Sequence, residues 1–314
     1  MEYRTHQRRL LPRLARTYAV HFSQQALTRE FHRVFTSDAE EAQARREIES
    51  WAAGQKAAAT WHATDVIQAA REACGGQGYL AENRFTELKA DTDVFTTFEG
   101  DNTVLLQLVA KSLISEFQAD FGKLDPLEMA GYVTSQVLEQ VVERASLRQV
   151  VERLKDAVPG PGRDDDAGLY DTEYHCEMFR WREEHVLGGL MRRLRDRIED
   201  DVDPYDAFLD CQDHVVRAAE VHIERFLLEH FVAGVERCTD PATRDALQRL
   251  CHLYALSEIE RDRGWFQEHG RLSGERSKAI QRAVNGLVTD VRPDALALVD
   301  AFGIPDEVLA PIAT

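Results

Sequence analysis

The sequence is poor in several features that would fix its class at once. Its five cysteines (Cys74, Cys176, Cys211, Cys238 and Cys251) are odd in number, scattered, and without CxxC spacing. Such a set argues against a disulfide framework or a zinc site and fits a reducing compartment. No apolar run reaches the roughly 18 residues that a spanning helix needs. Basic residues are the minority charge: 38 Lys and Arg stand against 55 Asp and Glu, a formal net charge of −17. An acidic surface of that kind disfavours nonspecific contact with nucleic acid or anionic membrane. GxSxG, Walker and HExxH sequences are missing. None of the 11 histidines has a glutamate three residues before it, which removes the paired Glu-x-x-His of di-iron bundles. Asp91-Thr92-Asp93 starts like a calcium loop, but Phe95 occupies the third ligand position.

What the chain does have is helical periodicity. Its 314 residues, 44% hydrophobic, suffice for one large domain or two ordinary ones. Leu11, Leu14, Tyr18, Phe22 and Ala26 recur at helical spacing, so the arginine-rich start reads as a folded amphipathic helix rather than a transit peptide. Residues 38–73 place Ile48, Trp51, Gln55, Ala59, His62, Val66 and Ala70 on one face, with Asp38 as N-cap. Residues 102–119 do the same with Leu105, Leu108, Val109, Leu113 and Phe117. Further helices are expected over about 127–156, 171–199, 204–236, 241–263 and 274–290. Alternating strand patterns are scarce and no long repeat is visible. The expected fold is therefore all-α, built as helix bundles. Trp51 and Trp61 read as core, and His175, His185, His214 and His222 as packing or surface residues. The break at 120–126 (DFGKLDP) is taken as a domain boundary, giving domains over 1–122 and 126–314. The stretch 158–168 (VPGPGRDDDAG) reads as a solvated loop. The last residues, PIAT, are not an SKL-type peroxisomal address, and the expected location is the cytoplasm.

Two short motifs carry the chemistry. CGGQGY (Cys74 to Tyr79) imitates a dinucleotide fingerprint, but a helix precedes it instead of a strand, which rejects a Rossmann site. A single glycine would end the helix. Three glycines in four residues (Gly75, Gly76, Gly78) suit either a turn or a close backbone approach to a phosphate or another chain. The second motif, TTFEGDNTVL, puts Glu99 just before an apolar helix that Asp101 or Asn102 can cap. An acid there gains from the helix dipole without any catalytic role. Phe98 and Gly100 beside it also suit a general base, which needs apolar neighbours to raise its proton affinity and room for substrate. On the residues alone both readings stand.

The stretch REACGGQGYLAENRFTELKADTDVFTTFEGDNTVLLQLVAKSLI resembles the C-terminal part of acyl-CoA oxidases and the related acyl-CoA dehydrogenases. EYRTHQRRLLPRLARTYAVHF resembles the first helix of that family's C-terminal helical domain. LYALSEIERDRGWFQEHGRLS and RPDALALVDAFGIPDEVLAPIA resemble the oxidases' second one. The resemblance implies FAD-dependent conversion of an acyl-CoA thioester to a trans-2-enoyl-CoA in fatty-acid β-oxidation. Glu99 would be the base and Phe98 and Gly100 would meet the substrate. Asp101, Asn102 and Thr103 would open a helix facing FAD, and Gly75, Gly76, Gln77 and Gly78 would touch the FAD of a partner subunit. Molecular oxygen or an electron-transfer flavoprotein would reoxidise the flavin. Arg4 stands where the family usually has a glutamine, and the family's FAD-binding arginine would fall upstream of this first helix. The family's N-terminal helical and β domains have no counterpart here. The chain thus reads as the C-terminal half of an enzyme, working as a homodimer or with a chain supplying the remaining domains. The alternative is a non-catalytic helical partner or dimerisation subunit.

Overall fold

A computed structural model describes residues 1–36, 42–121, 166–200 and 202–313, with the side chains of 117–121 excepted. Every α-helix, 3-10 turn and loop among these residues belongs to a helical framework without strands, as the periodicity predicts. The helices are α1 (Arg4–Phe35), α2 (Ala42–Ala73), α3 (Phe85–Val94), α4 (Asn102–Phe121), α5 (Thr172–Glu199), α6 (Pro204–Asp210), α7 (Gln212–Arg237), α8 (Pro241–Arg261), α9 (Arg263–Glu268), α10 (Gly274–Val291) and α11 (Ala295–Asp300). Asp38, the expected cap of α2, the expected helix over 127–156 and the boundary at 122–126 lie outside the described residues.

Local chemistry sets the helix starts. Asp171, Asp203, Asp240 and Ser273 each accept a backbone N–H of the first turn, at 2.8–3.0 Å. Each such cap stabilises by about 1 kcal/mol. Pro204 and Pro241 occupy the first turns of α6 and α8, where a missing N–H costs nothing. The single helix expected over 204–236 is two: the chain turns at Cys211, and α7 begins at Gln212. The apolar pattern runs through that break in phase, so periodicity alone did not reveal it.

The packing is layered around α7. Helix α1 lies on α2, α2 on α4, and both α1 and α4 on α7, which also packs on α5 and α8. One hydrophobic core runs from Leu11, Ala15 and Ala19 through Leu106 and Val109 to Leu227, Phe231, Leu250, Leu256, Val284 and Val288. Gly54 lets α2 approach α7 closely: a Cβ there would stand 2.2 Å from Ile223 Cδ1. The buried polar tie between α1 and α2 is also satisfied, with Ser23 Oγ donating to Gln55 Oε1 at 2.8 Å and Gln55 Nε2 to the Val20 carbonyl at 3.1 Å. Two positions depart from expectation. Trp61 is 37% exposed, and Leu108, placed on the buried stripe of α4, is 46% exposed. The stripe that packs is Leu106, Val109, Ala110 and Leu113.

Candidate active site at the turn between α3 and α4

Helix α3 does not stop cleanly. Its hydrogen bonding continues as the Phe98 N–H donates to the Val94 carbonyl at 2.8 Å. The chain then reverses through two residues of positive φ, Glu99 at 57° and Gly100 at 108°. Glycine adopts that region freely. For a glutamate it costs on the order of 1–2 kcal/mol, and it persists only where the surroundings hold it.

The holding groups come from both sides. Within the turn, the Asn102 N–H donates to the Thr96 carbonyl at 3.0 Å. From α2, Lys56 Nζ donates to the Gly100 carbonyl at 2.7 Å and to Asn102 Oδ1 at 2.8 Å. Asn102 Nδ2 donates to Thr60 Oγ1 at 2.9 Å, and that hydroxyl donates to the Lys56 carbonyl at 2.9 Å. Asn102 is consequently 1% exposed. Its side chain is a buried latch to α2, with oxygen and nitrogen both engaged. Asp101 is the cap of α4: Oδ1 accepts the Thr103 N–H at 2.9 Å. Its carboxylate thus takes up an N–H of the first turn of α4. Thr103 is exposed.

Glu99 is exposed as well, and Phe98 is 54% exposed. The apolar cover that a general base requires is therefore not supplied by Phe98 within this chain. What surrounds the turn is an open apolar surface of Val94, Phe95, Phe98, Val104 and Leu108, each 46–59% exposed.

The glycine motif forms a 3-10 turn, Gly75–Tyr79, at the end of α2. Its glycines answer different needs. Gly78 is buried, and a Cβ on it would stand 2.1 Å from the Arg71 carbonyl oxygen, so it is required by close approach to α2. Gly75 has a φ of 57°, and beside both Gly75 and Gly76 nothing lies within 4 Å of a Cβ position. Those two leave bare, open backbone against which a flat or anionic group can lie. Gln77 is exposed, while its carbonyl accepts from Asn83 Nδ2 at 2.9 Å. Asn83 Oδ1 in turn accepts the Ile312 N–H at 3.1 Å, tying the end of the described chain to this turn. Nothing in the sequence pattern singled out Asn83 or Lys56; an asparagine and a lysine on polar-looking stretches are ordinary surface residues until the fold brings them to a carbonyl.

The two motifs are anchored far apart on one helix. Lys56 and Arg71 are separated by about 22 Å of helix axis at 1.5 Å per residue. Elsewhere, clefts of about 270 and 340 Å3 share Arg16, Ala58, Trp61 and Arg261, and neither includes Glu99. Arg16 and Arg261 are already paired there with Glu258, at 2.9 and 2.6 Å. His62 lines the larger cleft and is pushed down to about 3 by burial and by the neighbouring Arg16.

Comparison with known proteins agrees with this architecture. Residues 1–114 match the family model described as acyl-CoA oxidase, C-alpha1 domain, and residues 171–312 match the one described as acyl-CoA oxidase. The chain is 34% identical to acyl-coenzyme A oxidase 2, peroxisomal, of Arabidopsis thaliana, over 100% of its own length and 43% of that protein. It is 32% identical to peroxisomal acyl-coenzyme A oxidase 3 of Homo sapiens, over 98% of its length and 44% of the relative. The solved structure of Arabidopsis thaliana acyl-CoA oxidase 1 superposes with a TM-score of 0.80 at 26% identity, covering 97% of this chain and 44% of that one. The chain thus spans less than half the length of the relatives it matches. Their names also overturn the cytoplasmic expectation, which rested on a missing address: the matched plant and human relatives are peroxisomal. A missing tail signal is not a positive signal for another compartment.

Proposed function

The chain belongs to the acyl-CoA oxidase family, as its C-terminal helical part, and from that premise we propose that it serves in the FAD-dependent oxidation of fatty acyl-CoA thioesters, with Glu99 as the base. The observation that carries this is the built turn: an acid held at positive φ by a latch from α2, on an exposed apolar face. A surface acid that only served the dipole of α4 would not need such a turn, because Asp101 already caps that helix.

In this reading Glu99 removes the proton from the carbon next to the thioester carbonyl. Phe98 and Gly100 border the acyl chain, Gly100 having no side chain to obstruct it. The exposed faces of Val94, Phe95, Phe98, Val104 and Leu108 are covered by the N-terminal domains that the relatives' greater length includes, and this cover excludes water from the carboxylate. FAD bound beside the turn would supply the hydride acceptor for the β-hydrogen. The open backbone of Gly75 and Gly76, together with Gln77, fits a contact with that cofactor, shared between subunits of a dimer. Molecular oxygen is the acceptor in keeping with an oxidase. The peroxisome is the setting that the relatives' names suggest, and fatty-acid β-oxidation is the process this reading assigns to it.

The alternative, a helical subunit completing a chain that bears the flavin domains, shares the same observation of an uncovered Glu99. Flavin absorbance of the purified chain separates these readings from a self-sufficient enzyme. The chain alone is expected to be colourless, and to gain both flavin and acyl-CoA oxidation when assembled with the N-terminal domains. Assembly with flavin but no oxidation would overturn the enzymatic reading.

A further inference from the structure

Lys56 belongs to a helix that carries neither motif in its interior, yet it reaches the carbonyl of the residue that follows the base. Its Nζ donates to the Gly100 carbonyl at 2.7 Å and to Asn102 Oδ1 at 2.8 Å, so one ammonium joins the two sides of the reversal. The turn contains consecutive positive-φ residues, Glu99 and Gly100, which need an external hold. Asn102 cannot supply it alone, because its side chain is itself oriented by Lys56 and Thr60. Thr60 lies one turn further along α2 and returns its hydroxyl hydrogen to the Lys56 carbonyl. The network is thus closed onto α2, which is packed on α1, α4 and α7 and forms part of the core.

We propose that Lys56 is a positioning residue for the reaction: by clamping the Gly100 carbonyl and the Asn102 side chain, it fixes the backbone that aims the Glu99 carboxylate. This rests on the assignment of Glu99 as base. Lys56 does not touch substrate in this role. Its ammonium donates to two acceptors of the turn and keeps the Gly100–Asp101 peptide, just after the base, from flipping towards a less strained form. An error of about 1 Å in the placement of a base costs on the order of 10²-fold in rate, so a clamp of this kind bears on turnover more than on binding.

The test uses Lys56→Met and Lys56→Arg, with two readouts. In the chain itself, amide hydrogen exchange of residues 96–102 is expected to rise about tenfold in Lys56→Met, through loss of hydrogen bonds holding the turn, and to return towards wild type in Lys56→Arg, while exchange in α7 and α8 is unchanged. In the enzyme assembled with its N-terminal domains, Lys56→Met is expected to lower kcat by about 10²-fold with KM for acyl-CoA and flavin content near wild type, and Lys56→Arg to recover most of the loss. Unchanged exchange in Lys56→Met, or a kcat within about twofold of wild type, would overturn the proposal. A fall in kcat that Lys56→Arg does not recover would also count against it. Glu99→Gln measured alongside keeps the two ideas apart. An inactive Glu99→Gln with an active Lys56→Met sinks only the clamp, whereas an active Glu99→Gln sinks the base itself.

Discussion

Arg182 Nη2 lies 2.7 Å from Glu224 Oε2, and the arginine side chain has no solvent exposure. Its Nη1 is 2.5 Å from Asp262 Oδ2, and Asp262 is shared with Arg217. Glu224 also faces Arg261 and Arg16. Burial alone would push the Glu224 carboxyl up, but Arg182, Arg261, Arg16 and Arg217 together hold it well below the usual carboxylate range. This network joins α1, α5, α7 and the end of α8, from the fully buried Arg182 out to the half-exposed Arg261.

Removing one member strands the others. Arg182→Met should destabilise the chain by about 3–5 kcal/mol, because Glu224 and Asp262 lose a partner in a dry setting. Urea unfolding followed by circular dichroism measures it. A loss near that of an exposed pair, roughly 0–1 kcal/mol, would mean that the surrounding arginines suffice without Arg182.

Acid sensitivity has a separate source. His175 and His252 pack ring to ring at 5.3 Å, and burial pushes them down to about 3 and about 4, with each ring's Nδ1 lacking a hydrogen-bond partner. The unfolded chain therefore takes up these protons first. Stability is whole above the ordinary histidine value of 6.5 and is lost as pH falls from there towards about 4. His252→Leu should flatten the melting temperature against pH over that window. An unchanged slope would assign the acid transition to other groups, the buried His62 among them.

The glycines of the 3-10 turn should separate by phenotype. Gly78→Ala forces a Cβ against the Arg71 carbonyl, at 2.1 Å in the present geometry, and should destabilise the chain by well over 1 kcal/mol. Gly75→Ala meets open space and should cost only about 1 kcal/mol, from its positive φ. If the open backbone of Gly75 meets FAD, Gly75→Ala should lower flavin retention in the assembled enzyme out of proportion to that stability change. Thermal melts and flavin absorbance on the same preparations decide it.

The helical class was legible because the apolar residues keep phase over long stretches: Leu11, Tyr18 and Ile48 are buried as their spacing requires. The kink at Cys211 was not, since a turn that keeps the helical phase leaves no mark on periodicity. Glu99 was legible only as an acid before a helix. That it is held at positive φ depends on Lys56, 43 residues earlier, and such long-range hydrogen bonds have no local signature. The inward turn of Asn102 was illegible for a related reason. Asparagine after aspartate suits a cap or an exposed contact equally, and only the fold shows Asp101 taking the cap and Asn102 turned inward. Trp61 looked like core because of its type, yet it sits on the wall of a cleft.

The most direct measurement is deuterium exchange at the carbon next to the thioester carbonyl of an acyl-CoA, in the enzyme assembled with its N-terminal domains, comparing wild type with Glu99→Gln. Glutamine keeps the size of the side chain but cannot take the proton. The account predicts exchange reduced by about 10²–10⁴-fold with flavin content unchanged. Exchange at the wild-type rate in Glu99→Gln would contradict it and leave Glu99 as an acid at the start of α4.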